Sequence, residues 1–163
     1  LQALKLPQRA ARNEGFSPKA VLGAVYELAL KDTILVTDVG QHQLWAARYF
    51  DYDLPGTFIS SGGFGTMGYG AGASMGAALA KPDRTVVLIS GDGSFRMNCN
   101  ELATMEHYGI PVIVLVMNNG VLGMVRQWQT VFYQKRYSQT NLDRGPDFAK
   151  LAEAYGISGT RVC

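Results

Sequence analysis

Apolar residues recur along this chain at two periods, and the alternation between them divides it into helices and strands. Val21, Val25 and Leu28 share one helical face behind Ser17-Pro18, an N-cap followed by proline at the first helical position, so a helix is expected to about Lys31. Thr33 to Thr37 reads as a strand. Asp38-Val39-Gly40-Gln41-His42 reads as a turn into a second helix through Leu44 and Trp45, ending before the loop Asp51-Tyr52-Asp53-Leu54-Pro55-Gly56. Phe58 to Ser60 fits a short strand. The stretch from Gly62 to Gly76 is rich in glycine, and from Tyr69 the spacing of Met75, Ala78 and Leu79 predicts a helix ended by Pro82, with a small-residue face suited to close packing.

Thr85 to Ser90 (TVVLIS) and Val112 to Met117 (VIVLVM) are unbroken apolar runs rich in β-branched residues, the pattern of central strands covered on both faces. Asn100 to Tyr108 between them reads as a helix, another starts near Val121, and Phe148, Leu151, Ala152 and Tyr155 mark a last one. Strands alternating with helices imply right-handed βαβ units. The fold class is therefore α/β, an open, mainly parallel sheet with helices on both faces, and ligands belong at the C-terminal strand ends.

A length of 163 residues suits one domain. Residues 1–16 are aperiodic and read as a linker from a preceding domain; residues 17–163 read as one domain truncated at its C-terminal end, where a strand begins near Cys163. With 47% hydrophobic residues and 17% charged, the chain has a globular profile, and the low charge suggests that part of its surface is normally covered. The net charge is +2 and the Lys and Arg residues form no run, which argues against nucleic acid and membrane surfaces as partners. No apolar stretch reaches membrane-spanning length and no signal peptide is visible, so a cytoplasmic location is expected. Cys99 and Cys163 read as free thiols.

Two loops at expected strand ends carry candidate chemistry, Gly91-Asp92-Gly93-Ser94 and Asn118-Asn119-Gly120. Small residues let backbone N–H groups approach an anionic diphosphate closely. Asp92 alone would repel that anion. Its presence makes sense with a cation between them, and a hard divalent ion such as Mg²⁺ takes oxygen donors partly from protein and partly from phosphate. Asp92, the Asn119 amide oxygen and a backbone carbonyl just beyond supply such donors.

This GDG, followed 24 residues later by NN, resembles the cofactor signature of thiamine diphosphate enzymes. The finer motifs resemble acetolactate synthase (acetohydroxyacid synthase) large subunits: DVGQHQ (38–43), SGGFGTMGYG (61–70), GDGSF (91–95), ELATM (101–105), NNGVLGMVRQWQ (118–129) and FYQKRYSQT (132–140). The resemblance implies that Asp92, Asn119 and the carbonyl of Val121 hold Mg. Val39, Gly40, Gln41 and His42 would line the diphosphate, with Gln41 and His42 contacting it, and Gly91, Gly93, Ser94, Leu122, Gly123 and Met124 would also bind the cofactor. Gly65 would accept a hydrogen bond from the aminopyrimidine, and Met67 would be the wedge that bends the cofactor; these two carry the catalytic role. Met97, Val125 and Trp128 resemble residues of the second-substrate pocket, although Met and Trp at helical spacing also suit a core.

The parent that the resemblance implies condenses two 2-oxo acids, pyruvate with pyruvate or 2-oxobutyrate, with loss of CO₂ in branched-chain amino-acid biosynthesis. It needs a glutamate from a pyrimidine-binding domain of a neighbouring subunit, so a homo-oligomer is expected. Glu14, Glu27, Glu101, Glu106 and Glu153 sit in linker or helix contexts, none in a motif like that one, and the chain on its own is expected to be inactive. FAD belongs to a middle domain of the family and is not expected here; a regulatory subunit is a further partner of the family. The rival readings are another thiamine diphosphate enzyme (a pyruvate oxidase, glyoxylate carboligase or 2-oxo acid decarboxylase) and a non-catalytic nucleotide-binding α/β domain.

Overall fold

The computed structural model describes residues 17–162; the linker reading for residues 1–16 and the strand start at Cys163 fall outside them. Helix α1 (Pro18–Leu28) begins where Ser17 Oγ accepts the Ala20 N–H at 3.2 Å. It stops at Leu28, short of Lys31. Ala29 is already extended, and Leu28 and Leu30 are exposed, so no apolar contact carries the helix further.

Strands β1 (Ile34–Thr37), β2 (Phe58–Ser60), β3 (Val86–Gly91) and β4 (Val112–Met117) form one parallel sheet in the order β2-β1-β3-β4. Helices α2 (Gln41–Tyr49), α3 (Tyr69–Ala80), α4 (Asp92–Asn98) and α5 (Leu102–His107) make the crossovers. Strand alternation sends Leu35, Val87 and Ile89 to one face, where Leu22, Ala46 and Phe50 of α1, α2 and the following residue cover them. Ile34, Val36, Val86 and Leu88 face the other way, against Ala77 and Ala78 of α3 and Ile110. A third cluster joins Ala71, Phe95, Leu102 and Met105 to Phe148 and Leu151 of α7 (Phe148–Ala154) on that second face. Each fully buried Leu, Ile or Val in these layers contributes roughly 1.5–3 kcal/mol of transfer free energy. The expected layered α/β class is what the chain forms.

Two expectations need correction. β3 is a central strand, but β4 pairs only with β3 among the described residues, and Ile113 is 58% exposed on the α1–α2 side. An apolar run records a need for cover without recording what supplies it, which is why the two strands looked alike in sequence. The second correction concerns the GDGS segment and the helix expected over Asn100 to Tyr108. Helix α4 starts at Asp92 itself, passes through a 3₁₀ turn at Cys99–Glu101 and continues as α5. Gly93 disguises this start, since glycine inside a helix costs about 1 kcal/mol relative to alanine.

Helix α3 buries its small face: Gly70, Ala71, Ser74, Ala77 and Ala78 lie against the sheet. A Cβ at Gly70 would stand 2.6 Å from Leu88 Cδ1 and 3.2 Å from the Asp38 backbone nitrogen, whereas one at Gly76 meets nothing within 4 Å. Helix α6 (Gly123–Phe132) buries no residue and is braced by the segment after it: Leu122 N–H donates to Thr140 O at 2.9 Å, Leu142 N–H to Gly120 O at 2.7 Å, and Gln129 Nε2 to Ser138 O at 3.0 Å. Gly70 and Gly76 give opposite outcomes in urea denaturation. Gly70→Ala is expected to destabilise by about 1–3 kcal/mol through overpacking, and Gly76→Ala to stabilise by about 0.5–1 kcal/mol by removing a flexible helix position. Equal effects would contradict the packing described.

Candidate functional site

Three loops leave the sheet at one level because the ladder register aligns their strands: Thr37 pairs with Ile89, and Gly91 with Met117. Residues 38–40, 91–94 and 118–122 therefore meet at the C-terminal strand ends, and the turn at 65–67 joins them from the β2–α3 connection. Together they enclose a cavity of about 220 Å³. Val39, Gly40, Gln41 and His42 form one wall, Gly91, Asp92, Gly93 and Ser94 the floor, Asn119, Val121, Leu122, Gly123 and Met124 the opposite wall, and Gly65 and Met67 the fourth side. Every residue expected at the cofactor lies on this one surface.

Asp92 is 2% exposed, and its Oδ2 has no hydrogen-bond partner. Burial raises its carboxyl above the usual carboxylate range; the N–H groups of Gly93, Asp92 itself and Gly120, and the charge of Arg96 four residues on, offset this only in part. Arg96 is itself fixed, its Nη2 donating to Leu142 O at 2.8 Å. A buried carboxylate with one free oxygen beside two oxygen-bearing neighbours fits a hard cation. Asn119 Oδ1 accepts the Val121 N–H at 3.1 Å and keeps a second lone pair, and Val121 lines the same cavity. One carboxylate with an amide and a carbonyl suits Mg²⁺, which leaves further positions to water and phosphate oxygens.

The same cavity fits an anion. Helices α2, α4 and α6 all begin on it, and none has a side-chain N-cap, whereas Ser17 and Asp147 cap α1 and α7 elsewhere. Uncapped first turns leave N–H groups without helical partners. Space for a close approach is built in as well: a Cβ at Gly93 would stand 2.6 Å from Leu122 Cδ2 and 3.2 Å from Leu142 Cδ1. Ser94 Oγ donates to Val39 O at 2.6 Å and locks the floor to the wall. His42 is 4% exposed with Nε2 unpartnered, and burial lowers its pKa to about 4, with Asp38 opposing in part. It is neutral at pH 7, so the wall carries an imidazole and no added charge.

Of the residues expected at a second-substrate pocket, Val125 lines the cavity, but Met97 and Trp128 do not. Met97 is 53% exposed beside Gly68, and Trp128 is 61% exposed, packed edge-on to Phe132 with ring centroids 6.3 Å apart. Neither is core. Arg126 is half-buried and stacks over the Tyr137 ring at 3.9 Å. Trp45 and Met117 also line the cavity and were not anticipated. Trp45 stands four residues after Gln41 on α2, a spacing that already puts the two on one helical face. Cys99 is a free thiol, as expected. A larger, open hollow between α5 and α7, lined by Thr104, Glu106, His107, Tyr108 and Tyr155 among others, shares no residue with this cavity.

Residues 38–163 match the family model described as "Thiamine pyrophosphate enzyme, C-terminal TPP binding domain". The chain is 50% identical over 145 residues to a probable acetolactate synthase large subunit of Methanococcus aeolicus, covering 88% of this chain and 24% of that protein. It is 46% identical over 150 residues to the acetolactate synthase isozyme 3 large subunit of Escherichia coli, covering 92% of this chain and 26% of that one. A solved structure of a Rhodococcus jostii thiamine diphosphate-dependent 4-hydroxybenzoylformate decarboxylase superimposes with a TM-score of 0.83 at 31% identity, over 90% of this chain and 28% of that chain. The chain thus spans about a quarter of the length of these relatives. With strand ends, uncapped helices and glycine floor all inside the matched residues, the chain belongs to the family of thiamine pyrophosphate enzyme C-terminal TPP-binding domains.

Proposed function

We propose that this chain is the diphosphate- and magnesium-binding part of a thiamine diphosphate-dependent acetolactate synthase, whose whole reaction joins two 2-oxo acids with loss of CO₂ in branched-chain amino-acid biosynthesis. The observation that carries the reading is the buried Asp92, one oxygen without a partner, lining one cavity with Asn119, Val121 and the glycines on either side of it. The similarity to acetolactate synthase large subunits supplies the reaction class. When bound, thiamine diphosphate supplies the electron sink for the chemistry, and the protein supplies binding and orientation.

Asp92, Asn119 and the Val121 carbonyl hold the cation, which screens the carboxylate from the diphosphate. Gln41, neutral His42 and the backbone of residues 39–40, 91–94 and 122–124 surround the diphosphate. Gln41 also reaches across the cavity mouth, its Nε2 donating to Gln127 Oε1 at 2.9 Å. Gly65 and Met67 orient the ring end. No glutamate lines the cavity among the described residues, so proton management at the pyrimidine is assigned to a neighbouring subunit. Val125, Trp128, Val131 and Phe132 of α6 are all exposed, and the reading assigns them to a face that such a neighbour covers, since soluble monomers rarely leave large apolar patches bare. FAD is assigned to no residue described here. No helix of the described residues is long and apolar enough to cross a membrane, and the reading places the enzyme in the cytoplasm.

Tryptophan fluorescence tests the cofactor assignment, because Trp45 lines the cavity. Thiamine diphosphate is expected to bind in the presence of Mg²⁺ and to be preferred over ATP and NAD; Asp92→Ala and Asn119→Ala are expected to lose the metal-dependent binding, each by about tenfold or more. Unchanged affinity in both variants would remove the metal assignment, and a preference for ATP or NAD without metal would favour a nucleotide-binding domain. In the full-length synthase, Val125→Ala, at the one expected second-substrate residue that lines the cavity, is expected to leave cofactor affinity unchanged while shifting the acetolactate to acetohydroxybutyrate ratio about tenfold, the usual effect of a methylene-scale change in a pocket. An unaltered product ratio under acceptor competition would take Val125 out of the substrate pocket.

A further inference from the structure

The turn that presents Gly65 and Met67 lies at the surface: residues 62–66 are exposed, and the hydrogen bond from Thr66 N–H to Ser61 Oγ at 3.1 Å lies within the turn. What fixes it to the sheet is the next residue. Gly68 is buried in the left-handed region (φ +87°), and both of its peptide groups are held by side chains from distant elements. Its N–H donates to Asp38 Oδ1 at 2.8 Å, and its carbonyl accepts the Asn98 Nδ2 at 2.7 Å. Asp38 comes from the end of β1 and Asn98 from the end of α4, 30 residues away on either side.

Asp38 is 1% exposed, and its carboxylate accepts three hydrogen bonds, two of them from distant segments. Oδ1 also accepts the Val39 N–H at 2.9 Å, and Oδ2 accepts the Ser90 hydroxyl at 3.3 Å. The peptide whose N–H it holds at Gly68 begins at the Met67 carbonyl carbon. Met67 Cε in turn lies 3.7 Å from the point a Cβ on Gly93 would occupy, so the clamped turn lays Met67 over the cavity floor. Asn98 closes the grip from the far side; a Cβ on Gly68 would come within 3.3 Å of its Nδ2. The cation side is held independently, by the Asn119 Oδ1 contact to Val121 N–H and by the strand-like contacts of residues 140–142.

We propose that Asp38 and Asn98 are positioning residues that set Gly65 and Met67 for the ring end of the cofactor by gripping the two peptide groups of Gly68. The proposal rests on the thiamine diphosphate reading above. It separates the two ends of the site: loss of the grip weakens recognition of the rings and leaves recognition of Mg²⁺-diphosphate alone.

Calorimetric titration of this chain with thiamine diphosphate and, separately, with inorganic diphosphate, both in excess Mg²⁺, reads the two ends. Asp38→Ala and Asn98→Ala are expected to weaken thiamine diphosphate by about tenfold, the scale of one lost hydrogen bond to a charged or buried group. Inorganic diphosphate is expected to change less than about threefold in Asn98→Ala, whereas in Asp38→Ala, which also frees the Val39 N–H and Ser90, it is expected to weaken by less than thiamine diphosphate does. Asp38→Asn keeps an acceptor oxygen for the Gly68 and Val39 N–H groups and is expected to recover most of the loss. Asn98 is exposed, so Asn98→Ala keeps the test open should Asp38→Ala not fold. Parallel losses for both ligands in Asn98→Ala, no loss in it, or an Asp38→Asn variant that folds yet binds as poorly as a folded Asp38→Ala would overturn the proposal. A wild-type chain that binds the two ligands equally would overturn it too. Wild-type protein that binds neither ligand would instead overturn the cofactor reading itself.

Discussion

A carboxylate removed from water costs several kcal/mol unless an opposite charge or enough donors replace its hydration, and the site is organised around one such group. Asp92 sits in the first turn of α4 with donors on one oxygen and none on the other. Its own backbone N–H, those of Gly93 and Gly120, and Arg96 all favour the ionised form, yet burial still wins. The imbalance is directional, because the unsatisfied oxygen belongs to a residue that lines the cavity where α2 and α6 also begin. A divalent cation would resolve it and, once there, would turn a wall hostile to phosphate into an attractive one.

The rest of the architecture delivers that carboxylate to the right place. Parallel pairing aligns Thr37, Ile89 and Leu115 across the sheet, so the connections after β1, β3 and β4 emerge together. Two apolar layers hold the strands, one under α1 and α2 and one under α3. The loops are then tied to one another, Ser94 to Val39, Leu122 to Thr140 and Leu142 to Gly120, which leaves little freedom at the cavity floor. Small residues keep the floor low enough for a ligand, and neutral His42 fills the space between Gly40 and Gly91 without adding charge.

Much of this was legible in the sequence because it is locally encoded. TVVLIS followed by GDGS, and VIVLVM followed by NN, state in a few residues that two buried strands end in small, polar loops; the cavity gathers those loops with DVGQH and with Gly65 and Met67. What was not legible depends on distant parts of the chain. Gly93 reads as a turn residue until Leu122 and Leu142 are seen packed against it inside a helix. The bare side of β4 at Ile113 depends on what covers a strand, which its own residues do not record. Met97 and Trp128 sit three and four residues after lining residues of their helices, on the same helical face, yet a turn further along and outside the cavity, so their absence is a matter of how far the cavity reaches rather than of composition or period. Asp38 was read as part of a turn, and its hold on Gly68 is visible only once residues 30 apart are brought together.

The central claim is that the buried Asp92 requires a cation before the cavity accepts an anionic diphosphate, so the two ligands must bind interdependently. The direct measurement is the linkage between them: calorimetric titration of diphosphate at a series of Mg²⁺ concentrations, with the reciprocal titration of Mg²⁺ at fixed diphosphate, each corrected for complex formation in free solution. The account predicts that each ligand tightens the other by the same factor, about tenfold or more, as a coupling free energy must. Diphosphate binding that is independent of Mg²⁺ would contradict it.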